Sequence, residues 1–344
     1  MEHGVMATRW TLNPIILVRV WMFQLILLLK GNLNLSDYDS YYLIPKEISD
    51  VTSRTIPDLK SDFHGVYPIF SSPMKGISGS QLVIEMGRNN CFGILHRFDI
   101  PEKRVDNIHK VASENINYGV AIGLNDFDIE LDIASCAFER GAKLICVDVA
   151  NGYNRNMEVV GKRLRGRFGK DISLMAGNVV DSIGAEFLVN SGFDFVRIGI
   201  GNGGLCLTRD ETGIGRNTLM ALKDCINVEV NLVCDGGIDK PGKAMKAFAF
   251  GANFVMIGSQ LGYALEAEND GVIYGMASHR NHMLNKKDIK SVEGKDIPID
   301  NNSKKPLKEI LDRYLWGIKS SCTYLNCNKL SEILTNSRII GINE

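Results

Sequence analysis

Charge of one sign is missing from this sequence: Lys+Arg 39 against Asp+Glu 40 leave a formal net charge of −1 over 344 residues. That balance excludes a broad basic face for nucleic acid and an acidic tail. It leaves room for a local anion site, because backbone N–H groups bind phosphate without net charge. A Gly/Ser linker, a low-complexity tract and any repeat longer than a strand–helix unit are also absent. The eight cysteines show no close ladder of a secreted disulfide scaffold, and several sit in apolar runs such as LICVDVA and NLVCDGG, where a thiol acts as a small hydrophobe. Cys322 and Cys327 have no histidine nearby to complete a zinc site. A reducing, cytoplasmic location fits this usage. No GxGxxG opens a Rossmann unit, and NGGLCLTR is not one.

What is present begins with an apolar stretch, PIILVRVWMFQLILLLK, over residues 14–30. Its clean part, 20–29, has the length of a signal h-region and falls short of the ~20 residues that span a bilayer. No small-x-small cleavage site follows it. Three origins stay open: a start codon taken too early, an added helix or partner segment, or a membrane anchor. Residues 1–33 are therefore set apart as an N-terminal extension, with 34–344 as the catalytic unit.

From residue 67 onward, apolar runs alternate with helix-like stretches. The runs are YPIFSSP (67–73), CFGILH (91–96), YGVAIGL (118–124), KLICVDVA (143–150), SLMAGNVV (173–180), FDFVRIGI (193–200), EVNLVCDGG (229–237) and ANFVMIGS (252–259). Each is apolar or β-branched on both faces, as parallel strands covered by helices are. Between them, stretches such as 126–143 and 240–253 carry apolar residues at helical spacing and end near glycine. Eight such repeats predict an α/β fold, a (β/α)8 TIM barrel, with a doubly wound sheet as the alternative. In a barrel, chemistry sits on the loops after the strands' C-terminal ends. SSPM, HR, DVANGY, GN, a cysteine loop, DGG and GS all fall there.

The cysteine loop, GIGNGGLCLTRDETGIG (199–215), surrounds Cys206 with six glycines. Glycine lets backbone amides and carbonyls approach a ligand closely, and such carbonyls can hold a monovalent cation. A thiol placed there is a candidate nucleophile; a cysteine buried in a tight turn is the alternative.

GIGNGGLCLTR, DVANGY, AGNVV, DGGI, MIGS, YGM, VEGK and GIKSSCTY follow one another in this order. Together they resemble the IMP dehydrogenase/GMP reductase family, over residues 36–334. DVANGY, YGM and GIKSSCTY carry reductase wording, while SSPM and MIGS are more dehydrogenase-like. The family's dehydrogenases hold an inserted regulatory pair, absent here, and a longer flap with an Arg-Tyr pair; here only the 16 residues 277–292 separate Met276 from Glu293. The resemblance implies a GMP reductase that converts GMP to IMP and ammonia with NADPH through a Cys206 thioimidate. IMP dehydrogenase and a catalytically impaired nucleotide-binding relative are the alternatives.

By the same resemblance, Thr208 paired with Glu293 handles the proton. Substrate contacts fall on Ser72, Met74, Asp235, Gly236, Gly237, Gly258, Ser259, Gly275, Met276, Ala277, Lys290, Ser291, Val292 and Gly294. Cofactor contacts fall on Ser53, Arg54, Arg97, Asp148, Val149, Ala150, Ile200, Gly201, Met276, Ile289, Ser320, Ser321, Cys322 and Thr323, the last group across a subunit boundary of a homotetramer. Gly201, Gly203, Cys206 and Arg209 match positions that hold potassium; for Arg209, fixing the loop is the competing role. Five positions depart from the family's usual residues. Lys75 replaces an aspartate, Arg97 a lysine near the departing ammonia, Gly204 and Ala277 serines, and Lys290 an arginine, which turns a forked contact into a point charge.

Overall fold

The computed structural model describes residues 37–284 and 292–342. The hydrophobic stretch at 14–30 and the substrate and cofactor candidates Ile289, Lys290 and Ser291 lie outside the described residues. Among the described residues no helix is long and apolar enough to cross a membrane.

Eight parallel strands form one sheet: β2 (Ile69–Ser71), β3 (Gly93–Leu95), β4 (Tyr118–Ile122), β5 (Leu144–Asp148), β6 (Ser173–Val179), β7 (Phe195–Ile198), β8 (Asn231–Asp235) and β9 (Phe254–Ile257), after an outlying strand β1 (Tyr41–Pro45). The sheet order runs β2-β9-β8-β7-β6-β5-β4-β3. The ring closes between β2 and β3, where Ser71 N donates to Phe92 O at 3.0 Å and Phe92 N to Ile69 O at 3.0 Å. This is the expected (β/α)8 barrel. Each predicted strand run contains its observed strand, because burial on both faces leaves an uninterrupted apolar signature.

Helices cover the outside. The first four between barrel strands are α1 (Ser80–Arg88), α2 (Pro101–Ala112), α3 (Phe127–Glu139) and α4 (Arg155–Phe168). Their starts are legible: Pro101 occupies the first turn of α2, and Asn154 caps α4 by accepting from Asn156 N. After β6 come α5 (Ser182–Asn190), the short α6 (Thr208–Thr212), α7 (Thr218–Cys225) and α8 (Pro241–Ala249). Beyond the barrel, β1 pairs antiparallel with a strand at Ser337–Gly341.

The barrel interior is apolar at one end. Phe70, Phe92, Phe195, Phe254, Leu144, Cys146, Met175 and Val233 are buried together, with Phe63 packed beneath them. Phe70 and Phe254 stack at 4.7 Å between centroids, and Phe63 meets Phe195 edge-on at 4.9 Å. This aromatic floor fixes the strands whose opposite ends carry the polar residues.

Candidate active site

The loop after β7 carries Cys206, half-buried while six of the other seven cysteines are fully enclosed. Burial pushes the thiols of Cys146, Cys225, Cys234 and Cys322 up to about 12, so those sulfurs are protonated core groups. The Cys206 sulfur lies 3.3 Å from Thr208 Oγ1. Thr208 Oγ1 in turn donates to Glu293 Oε2 at 2.7 Å. Residues 85 positions apart therefore form one thiol–hydroxyl–carboxylate relay.

Backbone ladders hold that relay. The segment at 293–295 lies between the cysteine loop and residues 275–278. Leu207 N donates to Glu293 O at 2.7 Å and Lys295 N to Leu205 O at 2.9 Å; on the other side Glu293 N donates to Ala277 O at 3.0 Å and Gly275 N to Lys295 O at 2.9 Å. The three segments approach so closely that a Cβ on Gly275 would meet Leu205 O at 2.8 Å and Gly294 Cα at 2.9 Å. Glycine at 275 and 294 is thus a packing requirement that brings Glu293 to Thr208.

Further substrate candidates among the described residues line the same mouth. Ser72 N donates to Ile257 O at 2.9 Å, and a Cβ on Gly258 would touch Met74 Sδ and Ser72 Cβ at 3.1 and 3.3 Å. Ser259 Oγ lies 3.8 Å from the Cβ position of Gly204, with space for the serine the family usually carries there. Gly236 abuts Gly203 across the barrel mouth. Val292 and Gly294 flank Glu293. Met276 Sδ accepts from Lys75 N at 3.3 Å.

A charged cluster that the sequence reading did not assemble fills the mouth. Arg197, on β7, is 5% exposed. Its Nη1 donates to Asp148 Oδ1 at 2.6 Å, and its Nη2 and Nε reach Asp235 Oδ2 at 2.8 and 3.2 Å. Asn178 Nδ2 adds a bond to the same Asp235 oxygen at 2.8 Å, which leaves Oδ1 for a ligand. Arg97 Nε lies 3.3 Å from Asp148 Oδ2. Burial pushes the Asp148 carboxyl up, but the Arg197 and Arg97 guanidiniums outweigh it and hold it below the usual carboxylate range. The sequence signal for Arg197 was a lone basic residue inside the run FDFVRIGI.

Other candidates gather elsewhere. Ser53 and Arg54 are exposed, on a segment tied to the end of the long helix at Leu307–Tyr324 by Ser49 Oγ donating to Thr323 O. Ser320, Ser321 and Thr323 lie on that helix, whereas the Cys322 side chain is fully buried in the core. Among the described residues no hydrogen bond joins that group to the Cys206 relay. Arg209 packs under Gly201 and donates from Nη2 to Arg216 O at 3.2 Å, a loop-fixing bond. Lys75, the charge reversal, is partnered: its ammonium lies 3.5 Å from Asp99 Oδ1 and donates to Phe98 O at 3.3 Å. Among the described residues no group of three or more His, Cys, Asp and Glu side chains could hold a metal ion. Cations held by backbone carbonyls are a different chemistry.

Comparison with known proteins agrees with this geometry. The sequence is 28% identical over 333 residues to a GMP reductase of Phytophthora infestans, covering 90% of this chain and 91% of that protein. It is 28% identical over 336 residues to GMP reductase 1 of Homo sapiens, covering 90% and 95%. A GMP reductase of Onchocerca volvulus is 29% identical over 337 residues, covering 90% and 91%. Residues 36–344 match the family described as the IMP dehydrogenase / GMP reductase domain, the span that holds the barrel, the thiol relay and the charged mouth. With nine-tenths of its length shared with reductases, the chain belongs to the IMP dehydrogenase / GMP reductase family.

Proposed function

We propose that the chain is an NADPH-dependent GMP reductase that acts through covalent catalysis at Cys206. The observation that carries this reading is the relay from Cys206 Sγ through Thr208 Oγ1 to Glu293 Oε2, with links of 3.3 and 2.7 Å. Loss of the thiol proton into the relay frees the sulfur to attack C2 of GMP. The S–C2 bond forms, the C2–N bond breaks, and the departing nitrogen takes a proton to leave as ammonia. A threonine hydroxyl is a feeble acid or base alone, so the carboxylate at 2.7 Å is what lets it pass protons on. A reduced nicotinamide supplies hydride to C2 when bound; the S–C2 bond then breaks and its electron pair returns to sulfur, giving IMP.

The binding residues follow. Asp235 offers Oδ1 to the ribose hydroxyls while Arg197 and Asn178 hold Oδ2. The amides of Gly236, Gly237, Gly258 and Ser259 suit a phosphate on the loops after the last two barrel strands. Asp148, held ionised by two guanidiniums, suits the hydroxyls of the cofactor ribose, with Val149, Ala150, Ile200 and Gly201 beside it. Arg97 at the lysine position offers a planar fork rather than a point-charge ammonium, and in this reading Thr208 and Glu293 carry the proton traffic. For potassium, the carbonyls of the 201–206 turn are the kind of donors a monovalent cation takes; Gly203 O already accepts from Cys206 N at 2.9 Å and keeps a second lone pair.

The test is a pair of assays. Incubation with GMP and NADPH should consume the reduced nicotinamide, and incubation with IMP and NAD should form none. Enzyme trapped mid-reaction should show a nucleotide adduct at Cys206 by mass spectrometry. Turnover in the IMP and NAD mixture alone would make it a dehydrogenase. GMP binding without turnover or adduct would make it a non-catalytic relative.

A further inference from the structure

Tyr38 stands far from every motif in the sequence, yet its side chain ends at the candidate phosphate loop. It lies in the short helical turn at Asp37–Ser40, just before β1, and is 1% exposed. Its hydroxyl donates to Gly236 O at 2.9 Å and lies 3.1 Å from Cys234 Sγ. The phenol has one proton and the carbonyl can only accept. The thiol is therefore the donor to the tyrosine oxygen, and Cys234 S–H, Tyr38 O–H and Gly236 C=O form a single directed chain. Burial, which pushes the Cys234 thiol up to about 12, keeps that proton in place.

The ring adds a second constraint. A Cβ on Gly237 would meet Tyr38 Cε2 at 2.8 Å, so the ring is seated against the backbone of the loop. Gly236 and Gly237 both adopt positive φ, +100° and +78°, a backbone that has no side chain to stiffen it. From the outside, Lys246 Nζ donates to Tyr38 O at 2.8 Å and ties this turn to α8. The loop's shape is thus fixed by a residue 198 positions away.

We propose that Tyr38 is the positioning residue that orients the Gly236–Gly237 amides toward the phosphate of the bound purine nucleotide. This rests on the reading of that loop as the phosphate site of a GMP reductase. Without the hydroxyl, the Gly236 peptide is free to rotate and its neighbouring amide loses its aim. The base, the ribose and the thiol chemistry are untouched. The penalty therefore falls on ligands that carry a phosphate.

Calorimetric titration of GMP and of guanosine into wild type, Tyr38→Phe and Cys234→Ala decides it. Tyr38→Phe keeps the ring, and its melting temperature reports that it folds. GMP affinity should fall about fivefold with guanosine affinity unchanged; KM for GMP should rise by the same factor with kcat unchanged. Cys234→Ala, which empties similar space but spares the bond to Gly236, should leave the GMP-to-guanosine ratio as in wild type. Unchanged GMP affinity in Tyr38→Phe, or an equal fall of the ratio in Cys234→Ala, overturns the positioning role while the reductase reading stands. Failure of wild type to prefer GMP over guanosine removes the phosphate site itself, and this role with it.

Discussion

The two ends of the barrel are built from the same strands and do opposite things. On β7, Phe195 joins the aromatic floor while Arg197 enters the charged mouth; on β8, Val233 and Asp235 divide likewise, and on β5, Cys146 and Asp148. Two residues along a strand is about 6.6 Å. Over that step the interior changes from a packed hydrocarbon to a buried ion cluster. The floor is cohesive without polar groups, so it can fix strand ends tightly. The mouth then inherits that rigidity, and ionic groups that would otherwise prefer water stay at fixed separations.

The sharpest way to break the comparison is at the relay, because only the mouth carries chemistry. Cys206→Ala should abolish reduction, about a thousandfold or more, while GMP affinity stays within about tenfold. Thr208→Val and Glu293→Gln should each slow ammonia release more than hydride transfer, read by single-turnover kinetics. Equal slowing of both steps would contradict the proton role. Stability should move little in all three variants, since these side chains are only half-buried.

Two substitutions two residues apart separate the ends thermodynamically. Phe195→Ala should cost about 3 to 5 kcal/mol by leaving a cavity in the floor, equally at every pH. Arg197→Met should cost a comparable amount near neutrality, about 3 to 5 kcal/mol, by leaving two carboxylates without their shared cation. Unlike the cost of Phe195→Ala, this one depends on pH. The Asp148 carboxyl is held low in the folded protein. Its contribution is therefore complete above its unfolded pKa, about 3.9, and is lost as pH falls through the lower folded value. Without Arg197, burial raises that pKa, so acidification neutralises the orphaned carboxylate. The deficit of Arg197→Met should shrink below about pH 5 in urea titrations, whereas that of Phe195→Ala should not. A pH-independent deficit for Arg197→Met would contradict the electrostatic account of the mouth.

The same contrast explains what was legible in the sequence. The floor and the strands follow from local pattern, because every strand buried on both faces is written as one apolar run. Cys206, Thr208, Asp148 and Asp235 could be placed at strand ends by counting, and their motifs stand in order. Arg197 was visible only as a charge inside FDFVRIGI; that it bridges β5 and β8 is decided by which residues face the barrel axis. Asn178 stood within AGNVV, but its bond to Asp235 needs the register shift between Gly177 and Val179. Tyr38 had no local signal, since its partner lies 198 residues on. Position 75 read as an isolated charge reversal until Asp99 appeared beside it.

Lys75 supplies the smallest effect and tests where the mouth ends. Its side chain is 23% exposed and Asp99 keeps Lys103 at 3.1 Å and His96 at 3.7 Å after Lys75 is gone. Lys75→Ala should therefore cost no more than about 1 kcal/mol at pH 7. The sign with pH is again informative. Burial lowers the His96 pKa to about 4; Asp99 opposes this, and Lys75, Lys103 and Arg104 add to it. A histidine held neutral stabilises the fold above its unfolded pKa of about 6.5 and loses that contribution as pH falls toward the folded value. Removing the Lys75 charge lets His96 accept a proton more readily, so Lys75→Ala should lose less stability than wild type between pH 7 and pH 5. A steeper loss in the variant would mean that Lys75 belongs to the rigid ion cluster around Arg197 rather than to its partly solvated rim.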